Sequence, residues 1–239
     1  MFAYRFFYSE HFESGFELRH KVRHFGSASE RVENKKEAGS MEQKLTDIMK
    51  QAFQREQDTI QATCERMDMD AFEKAVNALA EALRIAATGC GHSGIACMHF
   101  AHLMCCAEKP ARFLSPAEAV HGAAGFMQPG DVLVWASRGG KTDELFPILD
   151  ICHKKQVTVI GITEKTESEL AKQSDIILPI RITEETDKYN CQGTSSFVAV
   201  TAVCDALQAA LIEVTGYQNE QFALIHPGGA VGKRLSEKR

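Results

Sequence analysis

The chain has 239 residues, 44% hydrophobic and 25% charged, enough for one sizeable α/β domain with its own core. A formal net charge of −5 speaks against a nucleic-acid partner, which calls for a basic surface. It leaves room for a phosphorylated small molecule, because backbone amides at a helix start hold such a group without net positive charge. The eight cysteines show no C-x-x-C spacing and sit mostly in apolar context. They read as reduced thiols of a cytosolic protein, not as a disulfide framework or a chelate.

Residues 1–40 are rich in Phe, Tyr, His, Arg, Ser and Glu and keep no sustained period, so they read as a poorly ordered extension. Arg5 interrupts the aromatic start, and no targeting signal is evident. Met41 opens the domain proper, 41–239. Leu45, Ile48, Met49, Ala52, Phe53 and Ile60 recur at helical spacing, and a second helix is predicted from about Asp70 to Leu83. Strands and helices then alternate. Strands are predicted at Arg84–Thr88, Ala111–Leu114, Asp131–Ala136, Val157–Thr163 and Asp175–Ile180, with helices between them. A long helix runs from about Thr194 to Gly216, and a short one from Asn219 to Leu224. Phe197–Val214 has the length of a membrane span, but Asp205, Gln208 and Glu213 interrupt it, so a core or interface helix is expected and no membrane partner. Strands of near-uniform hydrophobicity separated by helices imply an α/β fold, a doubly wound parallel sheet sandwiched by helices. Ligands of such sheets bind beyond the carboxyl ends of the strands.

Two glycine-rich loops sit at that edge. Gly89-x-Gly91-x-x-Gly94 follows the first strand like a dinucleotide fingerprint, but Phe113-Leu114-Ser115-Pro116 offers no acid for a ribose. Gly140-Lys141-Thr142 is no P-loop, since Trp135 stands where its first glycine belongs. What remains is two strand–loop–helix units in which Ser93, Ser137 and Thr142 bring hydroxyls to helix starts, a pattern suited to a phosphate monoester.

From Met41 on, the chain resembles the D-arabinose 5-phosphate isomerases of the sugar isomerase (SIS) fold. The motifs are Gly89–Gly94, Pro116–Gly122, Ser137–Glu144, Gly193–Ser196 and, most specific, His226-Pro227-Gly228-Gly229-Ala230-Val231-Gly232. The resemblance implies an aldose–ketose isomerase acting on a sugar phosphate, D-arabinose 5-phosphate and D-ribulose 5-phosphate, with no cofactor and no metal. It implies a cytoplasmic homotetramer with sites completed across subunits, placed upstream of the eight-carbon acid of lipopolysaccharide. Family members commonly carry two CBS domains after this one; the chain stops at Arg239, so a single-domain form is expected. An isomerase of another sugar phosphate and a non-catalytic sugar-phosphate-binding regulator are the alternatives.

By the same resemblance, Glu144, Glu185 and His226 occupy catalytic positions, and His92 stands where the family has a lysine. The motifs place Gly91, Ser93, His121, Ser137, Gly139, Thr142, Thr194 and Ser195 around the substrate. Ser115 replaces a histidine that can hold an inhibitory zinc ion. Isomerisation through an enediolate needs a carbon base, a group to manage oxygen-bound protons and help in opening the ring. One of Glu144 and Glu185 is expected as the carbon base and the other as the group orienting hydroxyls. His226 is assigned to ring opening or proton shuttling, and His92 to steadying the oxyanion.

Overall fold

A computed structural model describes residues 28–236. Residues 1–27 of the expected extension lie outside the described residues, and α1 (Ala28–Arg66) begins inside its remaining part. From Met49 onward the chain forms one compact unit, and residues 28–48, the leading turns of α1, belong to a separate one.

Within the larger unit, β1 (Ile85–Gly89) pairs in parallel with both β2 (Ala111–Phe113) and β3 (Val132–Ala136). β3 pairs with β4 (Thr158–Thr163), and β4 with β5 (Ile176–Pro179), also in parallel, giving the order β2-β1-β3-β4-β5. The order reverses between β1 and β3, so the chain leaves these neighbours toward opposite faces and opens a crevice at their carboxyl ends.

Alternation along the strands divides the core in two. Ile85 and Ala87 of β1, with Val132, Val134 and Ala136 of β3, face α2 (Met69–Glu81), α3 (Gly91–Cys106) and α7 (Ser195–Thr215), where Leu79, Phe100, Met104, Leu207 and Leu211 are buried. Ala86, Leu133 and Trp135 face the other way, onto α4 (Pro116–Ala119), α5 (Phe146–Lys155) and α6 (Glu169–Lys172), packing with Ile148, Leu149 and Leu170. Both faces of the sheet are thus covered, and continuous hydrophobic strands are the consequence.

The helix ends have local causes. Asp68 caps α2 by accepting from the Asp70 and Ala71 amides at 3.0 and 3.1 Å, and α7 stops at Gly216 with φ 66°. α7 is long and apolar enough to cross a membrane by length and composition. Here Ala199, Val203, Leu207 and Leu211 are buried in the core it shares with α2 and α3. α8 (Asn219–Ile225) matches expectation, whereas α9 (Gly229–Ser236), which grows out of the terminal glycine motif, was not foreseen.

The apolar spacing of α1 proves a poor guide to what that helix buries. Phe53 is 69% exposed and Ile60 41%, while Thr59 and Thr63 are buried. Thr63 Oγ1 donates to the Arg181 carbonyl at 3.0 Å and accepts from its amide at 3.1 Å. One turn earlier Thr59 Oγ1 meets Thr183 Oγ1 at 2.9 Å, and another turn back Arg55 Nη1 donates to the carbonyls of Glu185 and Thr186 at 3.2 and 3.0 Å. The i, i+4, i+8 row of α1 is therefore a polar seam holding the strand-exit segment 181–186.

Candidate active site

The first glycine loop brings α3 down onto the end of β1. A Cβ on Gly94 would lie 2.6 Å from the Gly89 carbonyl oxygen, so any other residue would push the helix start off the strand. Beside this junction is a cavity of about 530 Å³ lined by Cys90, Gly91, Phe113, Ser115 and Glu144, among others. Burial raises the Cys90 thiol above its ordinary value, and the Glu144 carboxylate raises it further, in keeping with their shared wall.

The second loop follows β3. Ser137 Oγ and Thr142 Oγ1 are 2.8 Å apart, and Ser137 Oγ accepts from the Gly140 amide at 3.1 Å. Two hydroxyls bring two protons; one closes the bond between them and one is left to donate outward. Gly140 has φ +61°, and a Cβ there would sit 2.0 Å from Ser168 Oγ, so this turn can be made only by glycine. A 3₁₀ turn, Asp143–Leu145, then presents Glu144 at the cavity wall, exposed and without a side-chain hydrogen bond among the described residues.

Glu185 is built differently. Its side chain is 1% exposed and receives Arg138 Nη1 at 2.7 Å, Thr194 Oγ1 at 3.1 Å and the Ser196 amide at 3.2 Å. Arg138 Nε also donates to Glu164 at 3.2 Å. The loop between Glu185 and Thr194 is tied by Asp187, whose carboxylate accepts from the amides of Tyr189, Cys191 and Gln192 at 2.8 to 3.0 Å. Those backbone donors, the Gln192 amide foremost, hold the Asp187 carboxyl below its ordinary value.

Of the residues expected around the substrate, Glu144 and Gly91 line the cavity, with Ser137 and Thr142 on the adjoining loop. His92 is exposed and does not line the cavity; a Cβ on Gly193 would come 2.9 Å from His92 Nδ1, and the ring meets Phe197 edge-on at 6.4 Å. It thus neighbours the loop that carries Thr194. Ser93 is half-buried in the first turn of α3, and Ser195 Oγ is buried without a partner. His121 is exposed beyond α4, and Gly139 lines a different cavity.

His226 does not join the group. It stacks on Phe222 of α8 at 5.0 Å, its Nδ1 is buried without a partner, and it lines neither cavity. No group of three or more His, Cys, Asp or Glu side chains suited to a metal occurs among the described residues. Sequence reasoning missed Arg138 as the partner of Glu185, the Arg55–Thr59–Thr63 seam and the Asp187 tie. The seam alone left a trace, as polar residues four apart on a helix otherwise read by its apolar spacing.

Residues 78–210 match the family model described as SIS domain. Arabinose 5-phosphate isomerase KdsD of Pseudomonas aeruginosa is 33% identical over 180 residues, 75% of this chain and 55% of that protein. Arabinose 5-phosphate isomerase KdsD of Escherichia coli K12 is 33% identical over 152 residues, 64% of this chain and 46% of that protein. The chain therefore spans about half the length of the curated relatives it matches. Among solved structures, a candidate sugar-phosphate isomerase of Listeria monocytogenes superposes with a TM-score of 0.76 at 39% identity, covering 78% of this chain and 98% of that one.

Proposed function

We propose that this chain, which belongs to the SIS domain family, is a sugar-phosphate isomerase interconverting D-arabinose 5-phosphate and D-ribulose 5-phosphate. The observation that carries the reading is the unpaired Glu144 carboxylate in the wall of an open cavity beside the first glycine loop, at the carboxyl edge of the sheet. Curated relatives named arabinose 5-phosphate isomerase support the substrate. An Escherichia coli CFT073 protein in complex with arabinose 5-phosphate supports it too, with TM-score 0.73, 26% identity, and coverage of 77% of this chain and 98% of that one.

The contrast between the glutamates supports a division of roles. Glu144 is free to move a proton, so it takes the hydrogen from C2 of the open-chain aldose and returns it to C1, while the oxygen-bound proton passes from O2 to O1. No electrons leave the substrate, and the reaction needs no redox partner. Glu185, saturated by three donors, orders the Thr194 loop and the Arg138 guanidinium beside the sugar. Ser93, Ser137, Thr142 and the Gly91 amide receive the phosphate and hydroxyls, while Gly139, Ser195, His92 and His121 join the site by resemblance.

His226, set apart on α8, lines neither of the two cavities; by resemblance it completes the site of a neighbouring subunit, and the working form is then a homotetramer. The exposed Phe53 and Ile60 of α1 support such assembly. A cytoplasmic enzyme of residues 41–239 that supplies lipopolysaccharide synthesis completes the proposal.

The test is a panel of arabinose 5-phosphate, ribulose 5-phosphate and hexose phosphates with the purified chain. Interconversion of the first two that falls about 10³-fold in Glu144→Gln supports the reading. Turnover of a hexose phosphate alone would replace the substrate, and binding without turnover would make the protein a sugar-phosphate regulator. Mixing inactive Glu144→Gln and His226→Asn chains should restore activity if the sites are shared between subunits.

A further inference from the structure

Beyond the proposed isomerase site, the loop after β3 forms the wall of a second cavity, of about 600 Å³, that shares no lining residue with the first. Arg66, at the end of α1, Lys141, Lys165 and Arg181 line it, together with Glu164 and Glu167. In a chain with a net charge of −5 this is a local reversal of sign. Glu164 does not neutralise these cations, because its carboxylate, 9% exposed, is already taken by Arg138 at 3.2 Å. None of the side chains of Arg66, Lys141, Lys165 and Arg181 has a hydrogen-bond or ion-pair partner among the described residues; the pairs of the region belong to Arg138 and Arg55.

The cluster is held in place. Thr63, three residues before Arg66, is bonded to both backbone groups of Arg181, so α1 and the exit of β5 bring their arginines to the cavity together. Gly140 locks the loop bearing Lys141 against Ser168, which also lines the cavity. Like charges gathered this way repel one another, and a ligand of opposite charge removes the cost. The lining has no aromatic ring on which a base could stack, so the recognition is of anionic groups alone.

We infer that this second cavity binds a small molecule carrying at least two phosphate groups, and that the ligand regulates the isomerase site. The route is Glu164–Arg138–Glu185: an anion beside Glu164 draws the guanidinium toward itself and loosens its 2.7 Å bond to Glu185. Binding is independent of the proposed activity; the regulatory half rests on it.

Inorganic pyrophosphate is the probe, titrated calorimetrically into the full chain at fixed ionic strength near physiological, about 0.15 M, without divalent cations. Saturable binding at one equivalent per chain is expected, weakened about tenfold or more in Lys165→Gln/Arg181→Gln and unchanged in Glu144→Gln. Both replaced side chains are exposed, and an unaltered melting curve confirms that the variant folds. No saturable heat, equal affinity in the double variant, or a change in Glu144→Gln would each overturn the site. Binding without any change in isomerase rate would remove the regulatory half and leave the site. A chain inactive on every sugar phosphate that still binds pyrophosphate would fail the isomerase reading alone.

Discussion

Arg138 Nη1 donates to Glu185 Oε1 at 2.7 Å, and the carboxylate it reaches is 1% exposed. The two residues are 47 apart in sequence, and the bond fastens the β3 loop to the segment that opens α7. Removing the guanidinium would leave a buried carboxylate with only the Thr194 hydroxyl and the Ser196 amide. Because Arg138 is itself 38% exposed, the cost falls below that of a fully buried pair. Arg138→Met should lose about 1–3 kcal/mol in urea denaturation. Arg138→Lys, which keeps the charge but cannot serve Glu164 and Glu185 with a planar fork, should lie between. If Met and wild type unfold at the same midpoint, solvent already screens the pair.

Asp187 ties the neighbouring loop, and its dependence on pH has a definite sign. Three amides hold its carboxyl below the ordinary 3.8. A group with a depressed folded value contributes fully above the unfolded value and loses that contribution as pH falls through the folded one. The loop should therefore be insensitive to pH from neutrality down to about 4 and loosen only below. Asp187→Ala should show the loosened state at neutral pH, read as faster amide exchange at Tyr189, Cys191 and Gln192. Unchanged exchange in that variant would mean the loop is fixed by other contacts.

How far the sequence disclosed this arrangement depends on whether a signal was local. The strands, their order of appearance and both glycine loops were legible, because alternation, β-branched runs and turn glycines act within a few residues. Glu144 was legible as a first-turn acid. Glu185 looked like one member of a charged run, Glu184–Lys188, and only its distant partners, Arg138 and Thr194, set it apart. For α1 the helical period was legible, but the face it buries was not. Phe53 and Ile60 share a helical spacing whatever they meet, and nothing local says that Thr59 and Thr63 are the residues the strand exits require. His226 was legible as a motif, yet its placement on Phe222, away from the first cavity, follows from α8 and not from the motif.

The polar seam of α1 gives a third expectation. Thr59 and Thr63 are buried, and Thr63 satisfies both an amide and a carbonyl of Arg181. Valine has nearly the same shape but cannot bond, leaving those backbone groups unpaired. Thr63→Val should cost about 1–3 kcal/mol and Thr59→Val somewhat less, since its partner is a hydroxyl, Thr183, together with a longer amide bond of 3.3 Å. The double variant should lose less than the sum, because once one bond is gone the 181–186 segment is already partly released. Thermal melts of the three proteins decide this, and a neutral Thr63→Val would show that water replaces the seam.

Burial also separates the cysteines. All eight are free; Cys97, Cys152 and Cys204 are buried, whereas Cys64, Cys105 and Cys191 are exposed. Burial pushes Cys97 and Cys152 up to about 12, and Cys204 well above its ordinary 9.0. At pH 8 these three have almost no thiolate and no path for reagent, so iodoacetamide should leave them unmodified in the native protein and reach them after unfolding. The same shifts act on stability. Between about pH 9 and 12 the folded chain keeps protons that the unfolded chain has released, so stability should fall as pH rises, by up to about 1.4 kcal/mol per unit for each thiol. Urea midpoints at pH 8, 9.5 and 10.5 measure that slope. Replacing Cys97 with alanine should make it shallower but not flat, because one of the three titrating thiols, the one donating to the Thr88 carbonyl at 3.0 Å, is then gone while Cys152 and Cys204 remain.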